Sequence, residues 1–297
     1  MKDDILTICY PTYKRPKRVK RLLSYYSSYL NPNVRLLLSN NDLSSPPDVQ
    51  NFSGSIKDLI SINNPNQSRI GDNIISCLMG ANSEYALILS DEDLLIGQDE
   101  LKQWLHIQKP DFFVLPAIKS SSLYRECKEG SNSDILQNRT GNLSGIGFKL
   151  SKLDQSDFEF GLALDNNDYI HIILMALMSD RQGKGAMPVN SYVLMEEDYH
   201  DGKENFFMNR KAWFSFDGRF SQFKSFEITG EKISNPSIKE SVLSVLNKDS
   251  FAICFRYGFL STLVSARREG RFFWMLSVFF RSKAVNLYSL CRRIMSL

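Results

Sequence analysis

Histidine is scarce in this chain and its cysteines are unpaired by spacing. Three histidines cannot build a zinc site unaided. The five cysteines, Cys9, Cys77, Cys127, Cys254 and Cys291, are odd in number. No two of them stand at a metal-binding or redox spacing, so reduced thiols in a cytoplasmic protein are expected. No apolar run approaches the roughly 20 residues needed to cross a bilayer. The opening Met1-Lys2-Asp3-Asp4-Ile5 passes directly into a strand-like run and does not read as a signal peptide. Residues 5–20 hold no glycine, which argues against the glycine-rich phosphate loop of a nucleotidyltransferase. Internal repeats and low-complexity tracts are also missing.

Charge is unevenly placed. The eight cations Arg256, Arg267, Arg268, Arg271, Arg281, Lys283, Arg292 and Arg293 face Glu269 alone. That segment is therefore +7, which leaves −4 for residues 1–255 of an overall +3. An acidic body repels phosphate, so nucleic acid is not an expected partner.

Apolar periodicity predicts alternating strands and helices over the first 123 residues. Strands are expected at Ile5–Tyr10, Val34–Ser39, Ile56–Ile62, Tyr85–Leu89 and Asp111–Leu115. Helices are expected at Arg15–Tyr29, Gly71–Ala81 and Glu100–Gln108, and a buried helix at Asp168–Met178. Such alternation predicts a mostly parallel sheet covered on both faces, with ligands bound beyond the carboxyl ends of its strands. Three polar clusters, Pro11–Arg15, Ser39–Asp42 and Ser90–Asp93, each follow an apolar strand and should gather at that edge. Beyond Tyr124 the pattern changes: 126–139 is polar and irregular, 141–150 is glycine-rich, and the chain from Ile238 reads as successive helices. This divides the chain into 1–237, with halves 1–123 and 124–237, and a basic, aromatic segment 238–297.

Asp91, Glu92 and Asp93 end the strand Tyr85–Leu89 abruptly. Continued strand geometry would point Asp91 and Asp93 to one side, where they repel unless something positive lies between them. A hard divalent cation would serve; a solvated acidic turn is the alternative.

The order of these pieces resembles the inverting family-two glycosyltransferases with a GT-A fold. Thr7-Ile8-Cys9-Tyr10-Pro11-Thr12-Tyr13-Lys14-Arg15-Pro16 is similar to that family's opening strand and loop. Ser39-Asn40-Asn41-Asp42 resembles its turn after the second strand, Asn66…Gly71-Asp72-Asn73 the start of its next helix, and Ser90-Asp91-Glu92-Asp93 its Asp-x-Asp metal motif. Asn142-Leu143-Ser144-Gly145-Ile146-Gly147 is similar to a Ser-Gly segment of the acceptor region. The resemblance implies a GT-A, Rossmann-like α/β fold with a C-terminal helical extension, and a nucleoside-diphosphate sugar donor. It implies Mn2+ or Mg2+ bound by Asp93, with Asp91 on the metal or ribose and His200 as a further ligand. Pro11, Thr12 and Tyr13 would lie under the nucleobase, with Arg15 near the phosphates or base. Asn41 and Asp42 would meet the base, and Asn73 and Glu92 belong to the same donor-side set. Arg69 is a phosphate candidate by position alone.

An inverting transfer also needs a general base for the acceptor hydroxyl. Relatives place an acid at a helix start before an apolar stretch and a Gly-Lys. Here Asp165 and Asp168 precede Ile170–Met178, and Gly183-Lys184 follows. Asp168 is the first choice and Asp165 the second, although either could simply cap the helix. Glu196-Glu197-Asp198 is a rival set. Phe206, Phe207, Trp213, Phe214 and Phe216, near Arg210 and Arg219, could form an acceptor wall or ordinary core. Phe272–Phe280, bordered by arginines, suits a helix lying in the interface of an anionic membrane, or one packed on the body or in a homodimer. The expected activity is sugar transfer to a polyprenyl-diphosphate-linked or growing bacterial surface polysaccharide, at the inner face of the cytoplasmic membrane. A nucleotidyltransferase and a non-catalytic scaffold subunit are the alternatives.

Overall fold

The computed structural model describes residues 5–281 apart from 14, 42–48, 53, 57, 64–68, 120–121, 124–130, 138–142, 196–214 and 247. Asp42, Asn66, Glu196, Glu197, Asp198, His200, Phe206, Phe207, Arg210, Trp213, Phe214, Lys283, Arg292 and Arg293 lie outside the described residues, as do Cys127 and Cys291.

The apolar run at the N-terminus forms β1 (Leu6–Thr12), buried along its whole length. A strand buried on both faces belongs at the centre of a parallel sheet, and β1 sits there. It pairs in parallel with β2 (Val34–Asn40), which pairs in parallel with β3 (Leu59–Asn63). Between them run α1 (Pro16–Tyr29) and, after β3, α2 (Ile70–Gly80). β4 (Tyr85–Ile88) pairs in parallel with the other side of β1. The chain continues through β5 (Leu94–Ile96), α3 (Gln98–Gln108), β6 (Phe112–Val114), β7 (Ala117–Lys119), β8 (Ser122–Leu123) and α4 (Asn132–Gln137). β9 (Ile146–Lys149), α5 (Gln155–Ala163), α6 (Ile170–Asp180), β10 (Gly185–Ala186) and β11 (Tyr192–Met195) follow. The main sheet has seven strands in the order β10-β6-β9-β4-β1-β2-β3, and a smaller sheet has the order β5-β11-β7-β8.

Each face of the main sheet carries its own apolar cluster. Val19, Leu22, Leu23 and Tyr26 of α1 and Leu101 and Leu105 of α3 cover one face. Residues of α2 and α6 cover the other. α6 is buried from Ile170 to Ser179, as a helix apolar on most of its circumference must be. The helix Pro236–Val245 joins the same cluster through Ile238, Val242 and Val245; position 237 thus falls within a helix that shares this core. A third cluster joins Phe216 and Phe220 of the helix Phe216–Lys232 to Phe251, Cys254, Ala266, Met275 and Val278. Ala266 lies on the helix Phe259–Arg268, and Met275 and Val278 on a helix over 272–281. Cys9, Cys77 and Cys254 are buried free thiols, and burial pushes Cys254 up to about 12.

β9 departs from expectation. The glycine-rich stretch inserts as an antiparallel strand between β4 and β6. Gly147 pairs with Phe113, and a β-carbon there would lie 2.0 Å from the Phe113 ring. The glycine leaves room for a ring that is fully buried. Gly147→Ala should therefore destabilise the fold by about 1–3 kcal/mol through overpacking. Chemical denaturation measures this, and an unchanged midpoint would refute the steric account.

Candidate active site

β4, β1 and β2 are adjacent and parallel, so the polar residues that follow them share one edge. The backbone N–H of Asn41 donates to Thr12 O at 3.2 Å, and that of Leu89 to Cys9 O at 3.0 Å. Asn73 at the start of α2 stitches the edge further, its Nδ2 donating to Ser39 O at 2.9 Å and Thr12 O at 3.3 Å.

The three acids do not continue β4. The Asp93 N–H donates to Ser90 O at 3.0 Å, closing a tight turn, so strand alternation does not set their directions. Ser144 supports the turn from β9's side: its Oγ accepts from the Ser90 N–H at 2.6 Å. The Ser-Gly segment thus underlies the acidic turn. From the other side, Tyr10 Oη donates to the Asp93 carbonyl at 3.1 Å and pairs with Tyr26 Oη at 2.8 Å. Burial raises the Tyr10 phenol well above its ordinary value.

Both aspartates are buried, Asp91 at 4% and Asp93 at 2% exposure. The positive charge that such a cluster requires is present in the chain itself. Arg15 Nη1 donates to Asp91 Oδ1 at 2.6 Å, and Thr12 Oγ1 donates to Asp91 Oδ2 at 2.8 Å. Arg18, which the sequence did not single out, pairs with Glu92, and Arg15 lies 4.0 Å from the same carboxylate. Removing Arg15 would leave a buried charge uncompensated, the costly half of any buried ion pair.

Among the described residues, no three His, Cys, Asp or Glu side chains converge on a metal position. Mg2+ and ions like it, when bound with a diphosphate, take only one or two protein carboxylates and fill their shell with phosphate and water. Asp91 and Asp93 offer hard oxygen donors of that kind, so the donor set fits. Asp91 already has Arg15 and Thr12 as partners.

The remaining donor-side residues fall into two groups. Pro11 and Thr12 are buried at the end of β1, while Tyr13 presents a ring that is 44% exposed. Asn41 Oδ1 is buried without a partner among the described residues. Arg69, by contrast, is engaged internally. Its Nε and Nη2 donate to both oxygens of Asp72 at 2.8 and 2.7 Å, and its Nη1 and Nη2 donate to the carbonyls of Leu164 and Leu162. A phosphate role would require that network to open.

Asp168 sits in the loop before α6. The first residue of that helix is preceded by Tyr169, and no side chain caps it. Asp168 Oδ2 instead accepts from Gln222 Nε2 at 3.2 Å, and its backbone N–H donates to Asn166 Oδ1 at 3.1 Å. Burial raises its carboxyl above the ordinary value; the bonds from Gln222 and Asn166 and the charge of Arg69 pull the other way. Asp165 is exposed. Asn167 links this loop to α2: its Nδ2 donates to Asp72 Oδ1 at 2.7 Å. Gly71 permits that approach, since a β-carbon there would lie 2.2 Å from the Asn167 carbonyl. The first turn of α2 therefore joins the Asp168 loop, through Asp72, to the Thr12–Asp91 edge, through Asn73. Phe216 is buried and stacked on Phe220 at 5.3 Å, which is core packing.

This architecture is a mixed α/β fold of the GT-A type. Solved structures place it more closely. S. aureus TarS 1-349 matches with a TM-score of 0.57 at 8% identity, over 88% of this chain and 74% of that one. Its complex with UDP-GlcNAc matches at 0.58 and 12% identity, over the same shares of the two chains. Mannosyltransferase PcManGT from Pyrobaculum calidifontis, in complex with GDP-Man and Mn2+, matches at 0.55 and 14% identity, over 98% of this chain and 83% of that one. At these identities the likeness establishes the fold. No family model and no curated protein sequence matches the chain.

The raised Asp168 carboxyl has a measurable consequence. Its folded state holds a proton more tightly than the unfolded chain does, whose Asp titrates near about 4. Stability from this group is therefore lost as pH rises from there through the raised value. The melting temperature of Asp168→Asn should rise relative to wild type between pH 4 and pH 7. A difference that stays constant with pH would show that burial does not perturb this acid.

Proposed function

We propose that the chain is a metal-dependent, inverting glycosyltransferase that moves a sugar from a nucleoside diphosphate to an acceptor hydroxyl. The observation that carries this reading is the acidic turn. It sets Asp91 and Asp93 at the carboxyl edge of the sheet, Asp91 braced by Thr12 and Arg15, with Asp168, a half-buried acid of raised proton affinity, in a loop tied to the same edge through α2. A bound divalent ion would neutralise the charge that develops on the departing diphosphate. Asp93 would hold it, with Asp91 on the metal or ribose and Arg15 balancing charge beside the phosphates. Tyr13, Pro11, Thr12 and Asn41 would receive the base, and Asp42 and His200 would complete the base and metal contacts. On the acceptor side, the hydroxyl oxygen attacks the anomeric carbon while the bond to the diphosphate oxygen breaks. The hydroxyl proton passes to Asp168. Asp165, exposed beside it, is the second choice.

The acceptor we propose is a saccharide carried on a polyprenyl diphosphate, of the O-antigen or capsule type, and the donor a hexosyl or deoxyhexosyl nucleotide. Surface chemistry at the C-terminus supports a membrane-borne acceptor. Leu260, Val264, Phe273 and Phe280 are 74%, 69%, 82% and 66% exposed, and Arg267, Arg268, Arg271 and Arg281 are exposed among them. Apolar side chains edged by cations suit the interface of an anionic bilayer. No helix among the described residues is long and apolar enough to cross one.

Two measurements test these readings. In a screen of UDP-, GDP-, CDP- and dTDP-sugars with Mn2+, one donor should release nucleoside diphosphate. Asp93→Ala should abolish that release, and Asp168→Asn should slow it by about 10²–10⁴-fold. Undiminished turnover by Asp93→Ala would sink the metal-dependent reading, and pyrophosphate as product would favour the nucleotidyltransferase. Separately, Phe273→Ser with Phe280→Ser should weaken binding to phosphatidylglycerol vesicles at least about tenfold, since each phenyl burial contributes roughly 1.5–3 kcal/mol. Unchanged vesicle binding would remove the membrane surface from the proposal.

A further inference from the structure

The helix Phe216–Lys232 buries a polar stripe beside its aromatic residues Phe216, Phe220 and Phe226. Arg219, Gln222, Ser225 and Thr229 are 8%, 1%, 4% and 0% exposed. Residues 219, 222 and 225 recur every three positions and so lie along one side of the helix. All three reach the same four-residue loop. Arg219 Nη1 donates to Tyr169 Oη at 3.0 Å, Gln222 Nε2 to Asp168 Oδ2 at 3.2 Å, and Ser225 Oγ to the Asn166 carbonyl. Arg219 Nη1 also approaches Gln222 Oε1 at 3.4 Å, which sets which end of the amide faces Asp168. Phe226 packs on the Tyr169 ring at 5.6 Å.

Burying polar side chains is costly unless each finds a partner. An apolar stripe would have packed this helix against α6 at lower cost. The partners explain the stripe: it holds Asn166, Asp168 and Tyr169 in one arrangement.

We propose that Gln222 is the positioning residue for Asp168, with Arg219 orienting its amide. The Gln222 N–H fixes Oδ2, and so the plane of the carboxylate that would take the acceptor's proton. The proposal rests on Asp168 being the base. A donor aimed at a carboxylate favours its ionised form, against the burial that disfavours it. The charged groups that bear on Asp168 from its surroundings are Arg69 just before α2, Asp72 of α2 and Arg219 of the same stripe, with exposed Asp165 in its own loop.

The test is the titration of the Asp168 carboxyl by 13C NMR, its signal assigned by loss in Asp168→Asn. In Gln222→Met, which keeps the volume and removes the donor, the midpoint should move up by about one pH unit. The acidic limb of kcat/KM should move with it, while KM for the donor sugar stays unchanged. Gln222→Glu, which places a carboxylate in the amide's position, should move the midpoint further in the same direction and serves if the first variant does not fold. An unmoved midpoint in either folded variant overturns the positioning role. Wild-type turnover by Asp168→Asn with a shifted midpoint in Gln222→Met would instead overturn the base assignment and leave the contact standing.

Discussion

A buried carboxylate with a charged partner anchors this molecule's functional edge. Asp91 has almost no contact with water, and Arg15 and Thr12 each occupy one of its oxygens. Arg15 stands just before α1 and Thr12 ends β1. The pair therefore fixes three things at once: where β1 stops, where α1 starts, and how the turn after β4 lies between them. At short range in a poorly solvated site such a pair is strong, yet its value is mainly geometric, because desolvating both partners offsets much of the attraction.

Behind that pair the structure is layered in hydrogen bonds rather than in charge. Tyr10, itself bonded to Tyr26, holds the Asp93 carbonyl from within the core, and Ser144, just before β9, holds the turn's first N–H. Asp72 then distributes a second set of bonds to Arg69 and Asn167. Two acids thus play opposite parts on α2's side of the sheet: Asp72 is engaged as a brace by Arg69 and Asn167, whereas Asp168 has a perturbed carboxyl held by Gln222 and Asn166. Separate environments for neighbouring acids are a general way to give them separate tasks.

The legible parts of the chain were those whose physics is local. β1, β2 and β4 announced themselves as apolar runs, α1 by Val19, Leu22, Leu23 and Tyr26 at helical spacing, and the convergence of their polar ends followed from parallel pairing. β9 was illegible because Gly147 carries no side chain to mark its alternation; its strand character comes from antiparallel pairing with β4 and β6. The acidic cluster was legible, but strand and turn stayed alternatives for it because the Ser90–Asp93 hydrogen bond leaves no trace in composition. The stripe of Arg219, Gln222 and Ser225 was missed for a different reason. Polar residues on a helix read by default as its wet side, and only the packing reveals that this side faces inward. Their spacing by three was the available signal.

That helix has a second side. Asp217 pairs with Arg268 at 2.8 Å, and Lys224 with Glu269 at 3.1 Å, both toward the helix Phe259–Arg268. Its first turns also supply Phe216 and Phe220 to the C-terminal apolar cluster. The C-terminal layer is consequently no detachable module. One wall is shared between the surface that faces outward and the loop that carries Asp168. A transplant of this layer onto another catalytic body would carry the Gln222 contact away with it, so the two parts are bound to change together.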